Sequence, residues 1–195
     1  MAFMKLAVFA SGSGSNFQAF AEAVEEGRLD AEIVLLVCDR PGALVEGRAA
    51  AKDIPVFSFD PKAYDGKAAF ERAILSELKK KGADFIALAG YMRLIGPVLL
   101  GAYPRRIMNI HPSLLPAFPG LDAIGQAFDA GVKLTGVTLH YVDEGMDTGP
   151  IIAQEAVRIH ESDTRETVQK KVQTIEHSLY PKTLQQLIEK GVNVK

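Results

Sequence analysis

Residues 5–38 read KLAVFASGSGSNFQAFAEAVEEGRLDAEIVLLVC and decide the fold class. The two apolar runs in this stretch, Lys5–Ala10 and Glu32–Cys38, have the length and composition of strands in a parallel sheet that is covered on both faces. Between them, Ser15–Glu26 places apolar residues at the three-to-four-residue spacing of a helix. The stretch therefore predicts a strand–helix–strand unit with a right-handed crossover.

The same alternation continues along the chain. We expect further strands at Val56–Phe59, Phe85–Ala89 and Ile107–Ile110, with helices over 44–52 and 62–81. After Pro112 the pattern changes to a proline-rich loop, followed by an expected helix at 122–130 and an antiparallel pair of strands at 134–142 and 151–159. A last helix is expected to start from a capping box at 163–166 and to run to about residue 179, with a separate segment from Pro181. The sequence predicts an α/β fold with a Rossmann-like, mostly parallel twisted sheet, helices on both faces, and a single domain.

Composition excludes several classes of protein. The 195 residues include 22 basic and 24 acidic ones without a basic cluster, which argues against nucleic acid as a partner. No apolar run is long enough for a membrane span, and the start of the chain does not have the pattern of a signal peptide. The single cysteine, Cys38, excludes an internal disulfide and a multi-cysteine metal site. We therefore expect a cytoplasmic protein with no bound metal.

The first candidate for a functional site is Ser11–Asn16 (SGSGSN), which joins the first strand to the first helix. Glycines allow close approach of the backbone, and amides at a helix N-terminus bind phosphate. A plain turn is the structural alternative. Dinucleotide binding is the functional alternative, since Gly12 and Gly14 form half of its fingerprint and Asp39 ends the second strand, but Phe17 stands where that motif needs a third glycine. The segment favours a single phosphate monoester.

The second candidate is Asn109–Pro116 (NIHPSLLP), at the end of a predicted strand. Asn109 and His111 are two residues apart, so their side chains point to the same face. These side chains either fix the proline-rich loop that follows or serve chemistry. A carboxamide beside an imidazole can stabilise the oxyanion that develops in acyl transfer.

The third candidate is Asp143–Pro150, a loop with two glycines and three acidic residues. A solvated acidic turn is the simplest interpretation of the loop alone. His140, His160 and His177 are interpreted as structural histidines in the absence of other signals. No metal-ligand spacing and no nucleophilic serine elbow are present in the sequence.

Four motifs together resemble the phosphoribosylglycinamide formyltransferase branch of the folate-dependent formyltransferase family. The motifs are SGSGSN at 11–16, AGYMRLI at 89–95, NIHPSLLP at 109–116, and GVTLH at 136–140 leading to DTGPI at 147–151. The resemblance extends from the first strand to about Pro181. It is specific because an aspartate, Asp147, follows the histidine of the third motif by 36 positions.

The resemblance implies roles for individual residues. The catalytic set is Asn109, His111 and Asp147. The residues for a ribonucleotide substrate are Gly12, Ser13, Gly14, Ser15, Asn16 and Glu176. The folate-binding residues are Lys67, Met92, Arg93, Leu94, Ile95, Asn109, Val142, Asp143 and Asp147.

The resemblance also implies a reaction. The formyl group of 10-formyltetrahydrofolate is transferred to the amine of 5-phosphoribosylglycinamide, giving formylglycinamide ribonucleotide and tetrahydrofolate in de novo purine (IMP) biosynthesis. Folate is then a co-substrate, and no tightly bound cofactor is expected. A formyltransferase domain over 1–195 would divide into a phosphate-binding half, about 1–105, and a folate-binding and catalytic half, about 106–195. Its partners would be small-molecule substrates, and it would bind neither nucleic acid nor a membrane. Its oligomeric state would be monomer or homodimer.

Two residues depart from the family pattern. Asp122 stands at a position that is often histidine, so it is left out of the catalytic set. Lys67 stands where arginine is common, and an ammonium offers a point charge instead of a bidentate fork. Three alternatives remain: a formyltetrahydrofolate hydrolase and a methionyl-tRNA formyltransferase, each expected to need a further domain, and a non-catalytic binding module for a sugar phosphate.

Overall fold

A seven-stranded β-sheet forms the centre of the protein in the computed structural model, which describes residues 3–191. The strands β1 to β7 are Met4–Ala10, Ala31–Cys38, Val56–Ser58, Phe85–Leu88, Ile107–His111, Leu134–Tyr141 and Ile151–Arg158. The helices α1 to α6 are Ser15–Glu25, Leu44–Ala50, Lys67–Lys81, Pro97–Ala102, Ala123–Asp129 and Arg165–Glu189. The architecture confirms the predicted α/β fold class.

The order of the strands places a crevice in the middle of the sheet. The order is β3-β2-β1-β4-β5-β6-β7. All pairs from β3 to β5 are parallel, whereas β6 is antiparallel to β5 and β7, as expected for the two late strands. The chain builds outward from β1 to β3 and then resumes on the other side of β1 with β4. In such sheets, ligands bind outside the carboxyl ends of the strands where the order reverses.

Both faces of the sheet are covered by helices. Alternate residues of β1 belong to two separate buried clusters, Val8 to one and Phe9 to the other. The first cluster contains Phe20 of α1 and Tyr180 of α6. The second contains Ile74 of α3 and residues of α4. Burial on both faces explains why β1 is a continuous apolar run instead of an alternating one.

The helix predicted over residues 62–81 is wrong at its start. The structure has a short 3₁₀ turn at Pro61–Ala63, which the Asp60 carboxylate caps by accepting the Lys62 amide at 2.9 Å. Helix α3 then begins at Lys67, directly after Gly66, which has φ of 85°. Because this positive φ is incompatible with a right-handed helix, the two segments cannot be continuous.

The predicted break at Pro181 is also wrong. Helix α6 runs through the proline without interruption to Glu189. Proline costs the helix one backbone hydrogen bond, but Tyr180 and Leu184 on either side are fully buried in the same core cluster. Their packing holds the helix together across the missing bond. The capping box is shifted by one residue, since Thr164 is the cap and Thr167 its partner.

One helix was not predicted. Helix α4, Pro97–Ala102, is a single short segment between β4 and β5, and its six residues are too few to show a helical period. Within residues 3–191, no helix has the length and apolar character that crossing a membrane requires.

Candidate active site

A cavity of about 430 Å³ lies at the carboxyl ends of the central strands, at the reversal of strand order. The predicted site residues that line it are Asn16, Met92, Arg93, Leu94, Ile95, Asn109, His111, Val142, Asp147 and Glu176. Six other predicted residues are not part of its wall: Gly12, Ser13, Gly14, Ser15, Lys67 and Asp143. Side chains from both halves of the chain therefore meet in one cavity.

Strand pairing places Asn109 beside His140, which was interpreted from the sequence as a structural histidine. Asn109 on β5 lies opposite His140 on β6, and Asn109 Nδ2 is 3.2 Å from His140 Nε2. His140 Nδ1 lies 2.9 Å from the Tyr141 carbonyl and can only donate to it. In a neutral ring, Nε2 must then accept, so the Asn109 amide donates one hydrogen to His140 and keeps its second for the cavity.

His111 and Asp147 meet in the same place. His111 is 5% exposed, and its Nδ1 lies 3.4 Å from Asp147 Oδ2. Its Nε2 lies 2.8 Å from the Phe118 carbonyl oxygen. Because both neighbours of the ring are acceptors, a His111 side chain that donates to both carries a proton on each nitrogen.

The β6–β7 loop (residues 142–150) presents Asp147 by a strained backbone. Asp147 itself has φ of 57°, in the left-handed region, which is uncommon for a residue with a side chain. The Asp143 carboxylate holds the turn by accepting from the Gly145 amide at 3.0 Å and the Thr148 hydroxyl at 2.7 Å. Asp147 Oδ2 in turn accepts the Gly120 amide at 2.8 Å. The loop is thus built to hold one carboxylate against His111.

The backbone of the glycine loop (Ser11–Asn16) is held in place by contacts with α2. Gly14 has φ of 75°, and a Cβ on it would lie 2.7 Å from Val45 Cβ. The carbonyl of Gly12 accepts the Val45 amide at 3.1 Å, and that of Ser13 accepts Arg48 Nε at 2.8 Å. Both carbonyls are therefore turned toward α2. The first amides of α1 have no partner within the helix and are available to an anion.

A buried carboxylate faces the end of the glycine loop. Glu176 on α6 is 8% exposed, and Asn16 Nδ2 donates to its Oε2 at 3.4 Å. Burial raises the pKa of Glu176 to about 7, and the hydrogen bond from Asn16 opposes that rise. Asn16 Oδ1 is shielded from solvent and has no hydrogen-bond partner among residues 3–191. Asn16 Oδ1 is therefore available to a ligand group that donates a hydrogen bond, and Glu176 can accept one when it is ionised.

Of the two residues that depart from the family pattern, Asp122 lines the cavity and Lys67 does not. Lys67, the first residue of α3, has its Cε 2.9 Å from where a Cβ on Gly96 would lie, at the end of the β4–α4 loop (residues 89–96). Asp122 caps α5 by accepting the Gly125 amide at 3.3 Å and forms an ion pair with Arg165 of α6. Its carboxylate is therefore committed to joining two helices.

Comparison with known proteins gives the family. The profile of the formyl transferase family matches residues 4–184. The chain belongs to this formyl transferase family. It is 59% identical over 189 residues to the phosphoribosylglycinamide formyltransferase of Bacillus subtilis, and the match covers 97% of this chain and 96% of that one.

Solved structures resemble this formyltransferase over almost its full length. A phosphoribosylglycinamide formyltransferase from Bacillus halodurans is 59% identical with a TM-score of 0.93, covering 96% of both chains. Glycinamide ribonucleotide transformylase 1 from Geobacillus kaustophilus is 61% identical with a TM-score of 0.93, covering 95% of this chain and 98% of that one. The resemblance inferred from the four motifs is confirmed.

Sequence reasoning missed three side chains of this formyltransferase. His140 contacts Asn109, and only its place in the GVTLH motif signalled it. Arg48 holds the glycine loop from α2, and no local pattern marked it. Asp39 was considered as a ligand for a dinucleotide ribose, but both of its oxygens are occupied by Ser11 and Arg93.

Proposed function

We propose that the chain transfers the formyl group of 10-formyltetrahydrofolate to the amine of 5-phosphoribosylglycinamide, releasing formylglycinamide ribonucleotide and tetrahydrofolate in purine biosynthesis. The observation that carries the proposal is the meeting of Asn109, His111 and Asp147 at one end of a cavity. The names of the similar proteins from Bacillus subtilis, Bacillus halodurans and Geobacillus kaustophilus agree with this reaction. We further propose a cytoplasmic enzyme that works as a monomer or homodimer.

The ribonucleotide is assigned to the side of the cavity next to the glycine loop. Its phosphate would bind the free amides at the start of α1, whose macrodipole favours an anion. The Asn16 Oδ1 atom and the Glu176 carboxylate are acceptors beside that position. They suit the amine or hydroxyl groups of the ribonucleotide, which donate hydrogen bonds.

Folate is assigned to the opposite side, between the β4–α4 and β6–β7 loops. Four apolar side chains around the cavity are about half or more exposed: Met92, Leu94, Leu121 and Met146. An exposed apolar rim of this kind suits a flat aromatic ligand that covers it on binding. Lys67 and Arg93 stand at this side as cations for the carboxylates of the folate tail.

The proposed mechanism begins with attack of the ribonucleotide amine on the formyl carbon, which forms a tetrahedral intermediate. The second Asn109 Nδ2 hydrogen and His111 stabilise its oxyanion. A hydrogen bond from His111 to the oxyanion requires that one of its present contacts be exchanged, and the 3.4 Å contact to Asp147 is the looser one. Asp147 takes part in moving the proton from the amine to the departing folate nitrogen, through water. Both substrates leave as products, with no tightly bound cofactor in the scheme.

The test is an assay of the purified protein with both substrates. We expect formation of tetrahydrofolate and formylglycinamide ribonucleotide in equal amounts. Release of formate without the ribonucleotide would instead indicate a hydrolase, and formylation of methionyl-tRNA would indicate the tRNA enzyme. Binding of the ribonucleotide without turnover would indicate a binding module and would contradict the proposal.

A further inference from the structure

Asp39 is a buried carboxylate that the proposed mechanism does not use. It follows the last residue of β2 and its side chain is 2% exposed. One oxygen accepts from the Ser11 hydroxyl, and the other accepts from Arg93 Nε at 2.6 Å. Asp39 therefore contacts the first residue of the glycine loop and the middle of the β4–α4 loop at once.

Ser11 extends this connection to the neighbouring backbone. Its hydroxyl has one hydrogen, and that hydrogen is given to Asp39. The Ser11 oxygen is then oriented to accept the Met92 amide at 2.9 Å. The Ser11 amide also donates to the Gly90 carbonyl at 3.1 Å. Two hydrogen bonds therefore join the two loops directly. The bond from the Ser11 hydroxyl to the Asp39 carboxylate fixes the direction of that hydroxyl.

The β4–α4 loop needs this support because it has no regular structure of its own between Leu88 and Pro97. Arg93 is 40% exposed on its side chain, and its other close contact is the face of the Phe70 ring, at 5.9 Å. Without Asp39, the Arg93 guanidinium would be free to move into solvent, and the Met92 amide would face a hydroxyl that rotates freely.

We infer that Asp39 is a positioning residue for folate binding: it fixes Met92 and Arg93 at the cavity wall and joins them to the glycine loop. The inference rests on the proposed assignment of folate to this loop. A carboxylate accepts from Arg93 and from the Ser11 hydroxyl at once, and its negative charge pairs with the guanidinium. An asparagine that keeps its oxygen on Arg93 turns its NH₂ group toward the Ser11 oxygen, so the hydroxyl hydrogen must rotate away and the charge that pairs with Arg93 is lost.

The experiment compares Asp39→Asn with Glu46→Gln as a matched control. Glu46 is a nearby carboxylate that also accepts from a serine hydroxyl and a backbone amide, those of Ser58 and Gly42, and it has no hydrogen bond to the β4–α4 loop. We expect Asp39→Asn to raise the KM for 10-formyltetrahydrofolate about tenfold, as for the loss of one charged hydrogen bond, with kcat and the ribonucleotide KM within about twofold. Glu46→Gln should leave all three values within about twofold, the scatter of a neutral surface change.

A second variant keeps the test decisive if Asp39→Asn does not fold. Ser11→Ala retains the bond between Asp39 and Arg93 and removes the acceptor of the Met92 amide, so it should raise the folate KM by a smaller factor, about threefold to fivefold. A folate KM within twofold of wild type in both variants overturns the inference. So does an equal rise of both KM values together with a lowered Tm, because a merely structural carboxylate would affect both substrates.

Failure of the proposed function can be distinguished from failure of the inference about Asp39. If the wild-type protein forms no formylglycinamide ribonucleotide, the proposed function fails. Calorimetric titration of wild type and Asp39→Asn with 10-formyltetrahydrofolate alone then decides the role of Asp39. A tenfold difference in Kd supports it, and equal affinities or no binding to either protein overturn it.

Discussion

The glycine loop and the proposed catalytic group of Asn109, His111 and Asp147 are built in opposite ways. The loop is six consecutive residues, and its shape depends on backbone contacts to α2 and on one positive φ. The catalytic group comes from β5 and from a loop that follows β6, and its members meet through side chains. Substitutions in the first region should therefore affect binding of one substrate, and those in the second should affect turnover.

Asp147→Asn should have the largest effect. It keeps the shape of the side chain but removes the charge beside His111 and alters the bond to the Gly120 amide. We expect a fall in the single-turnover rate of about 10³-fold, typical of losing a general acid–base group. Glu144→Gln, an exposed carboxylate of the same loop, is the control and should be near wild type. A loss of less than tenfold for Asp147→Asn would remove it from the proton transfer.

Asn109→Ala should have the second-largest effect. Removing its amide takes away one of the two proposed oxyanion donors, which we expect to lower kcat about 10²- to 10³-fold. Both KM values should change little, because the interaction exists only in the transition state. Steady-state kinetics with each substrate varied give the answer. A raised KM with normal kcat would assign Asn109 to ground-state binding instead.

Glu176 contacts Asn16 of the glycine loop and lines the same cavity as Asn109 and His111, and its titration should make the stability of the protein depend on pH. Its pKa is about 7 in the folded protein against 4.5 normally, so the folded state keeps a proton that the unfolded state has lost between these values. Stability therefore falls as pH rises from 4.5 to 7, by about 3 kcal/mol at about 1.4 kcal/mol per unit.

Urea unfolding of wild type and Glu176→Gln across pH measures this contribution, since glutamine does not titrate. As pH rises through this window, the free energy of unfolding of wild type should fall relative to that of Glu176→Gln. Above the window the difference should become constant. A difference that is constant from pH 4.5 to 8 would show that Glu176 is not held protonated by burial.

Gly14→Ala tests whether the backbone carries the function of the glycine loop. The new Cβ would meet Val45 and impose strain at a φ of 75°. We expect ribonucleotide affinity to fall about tenfold or more, as for the loss of at least one phosphate contact, with folate affinity nearly unchanged. Gly47→Ala on α2 is the matched control, because nothing lies within 4 Å of its Cβ. Calorimetric titration with each ligand distinguishes the outcomes, and equal losses for both ligands would contradict the assignment.

Arg48→Ala should have the smallest effect of these changes. It removes the donor to the Ser13 carbonyl and one positive charge near the phosphate position. We expect the ribonucleotide KM to rise about fivefold, less so at high salt because the charge is screened. Lys52→Ala, one turn later on the same surface and paired with Glu25, is the comparison. If the two variants are indistinguishable, Arg48 has no role in holding the loop.

Much of the fold followed from local patterns. Apolar runs predicted all seven strands, and for the central strands β1, β2 and β4 the reason is burial on both faces of the sheet, which requires apolar residues along almost the whole strand. Helix boundaries were less predictable. Gly66 separates two segments that share one helical period. Helix α6 continues through Pro181 because burial of the residues on either side stabilises it by more than the one lost hydrogen bond costs.

The sequence by itself determined the α/β class and the glycine loop, since both depend on periodicity or on neighbours along the chain. The proposed catalytic residues followed from the resemblance of four motifs to a known family. Only the tertiary structure decided that His140 orients Asn109 and that Asp39 joins two loops. Those contacts depend on the register of β5 against β6 and on the order of strands across the sheet. Register and order are set by packing of the whole core, which brings together residues that are far apart in the chain, such as Asn16 and Glu176, 160 positions apart.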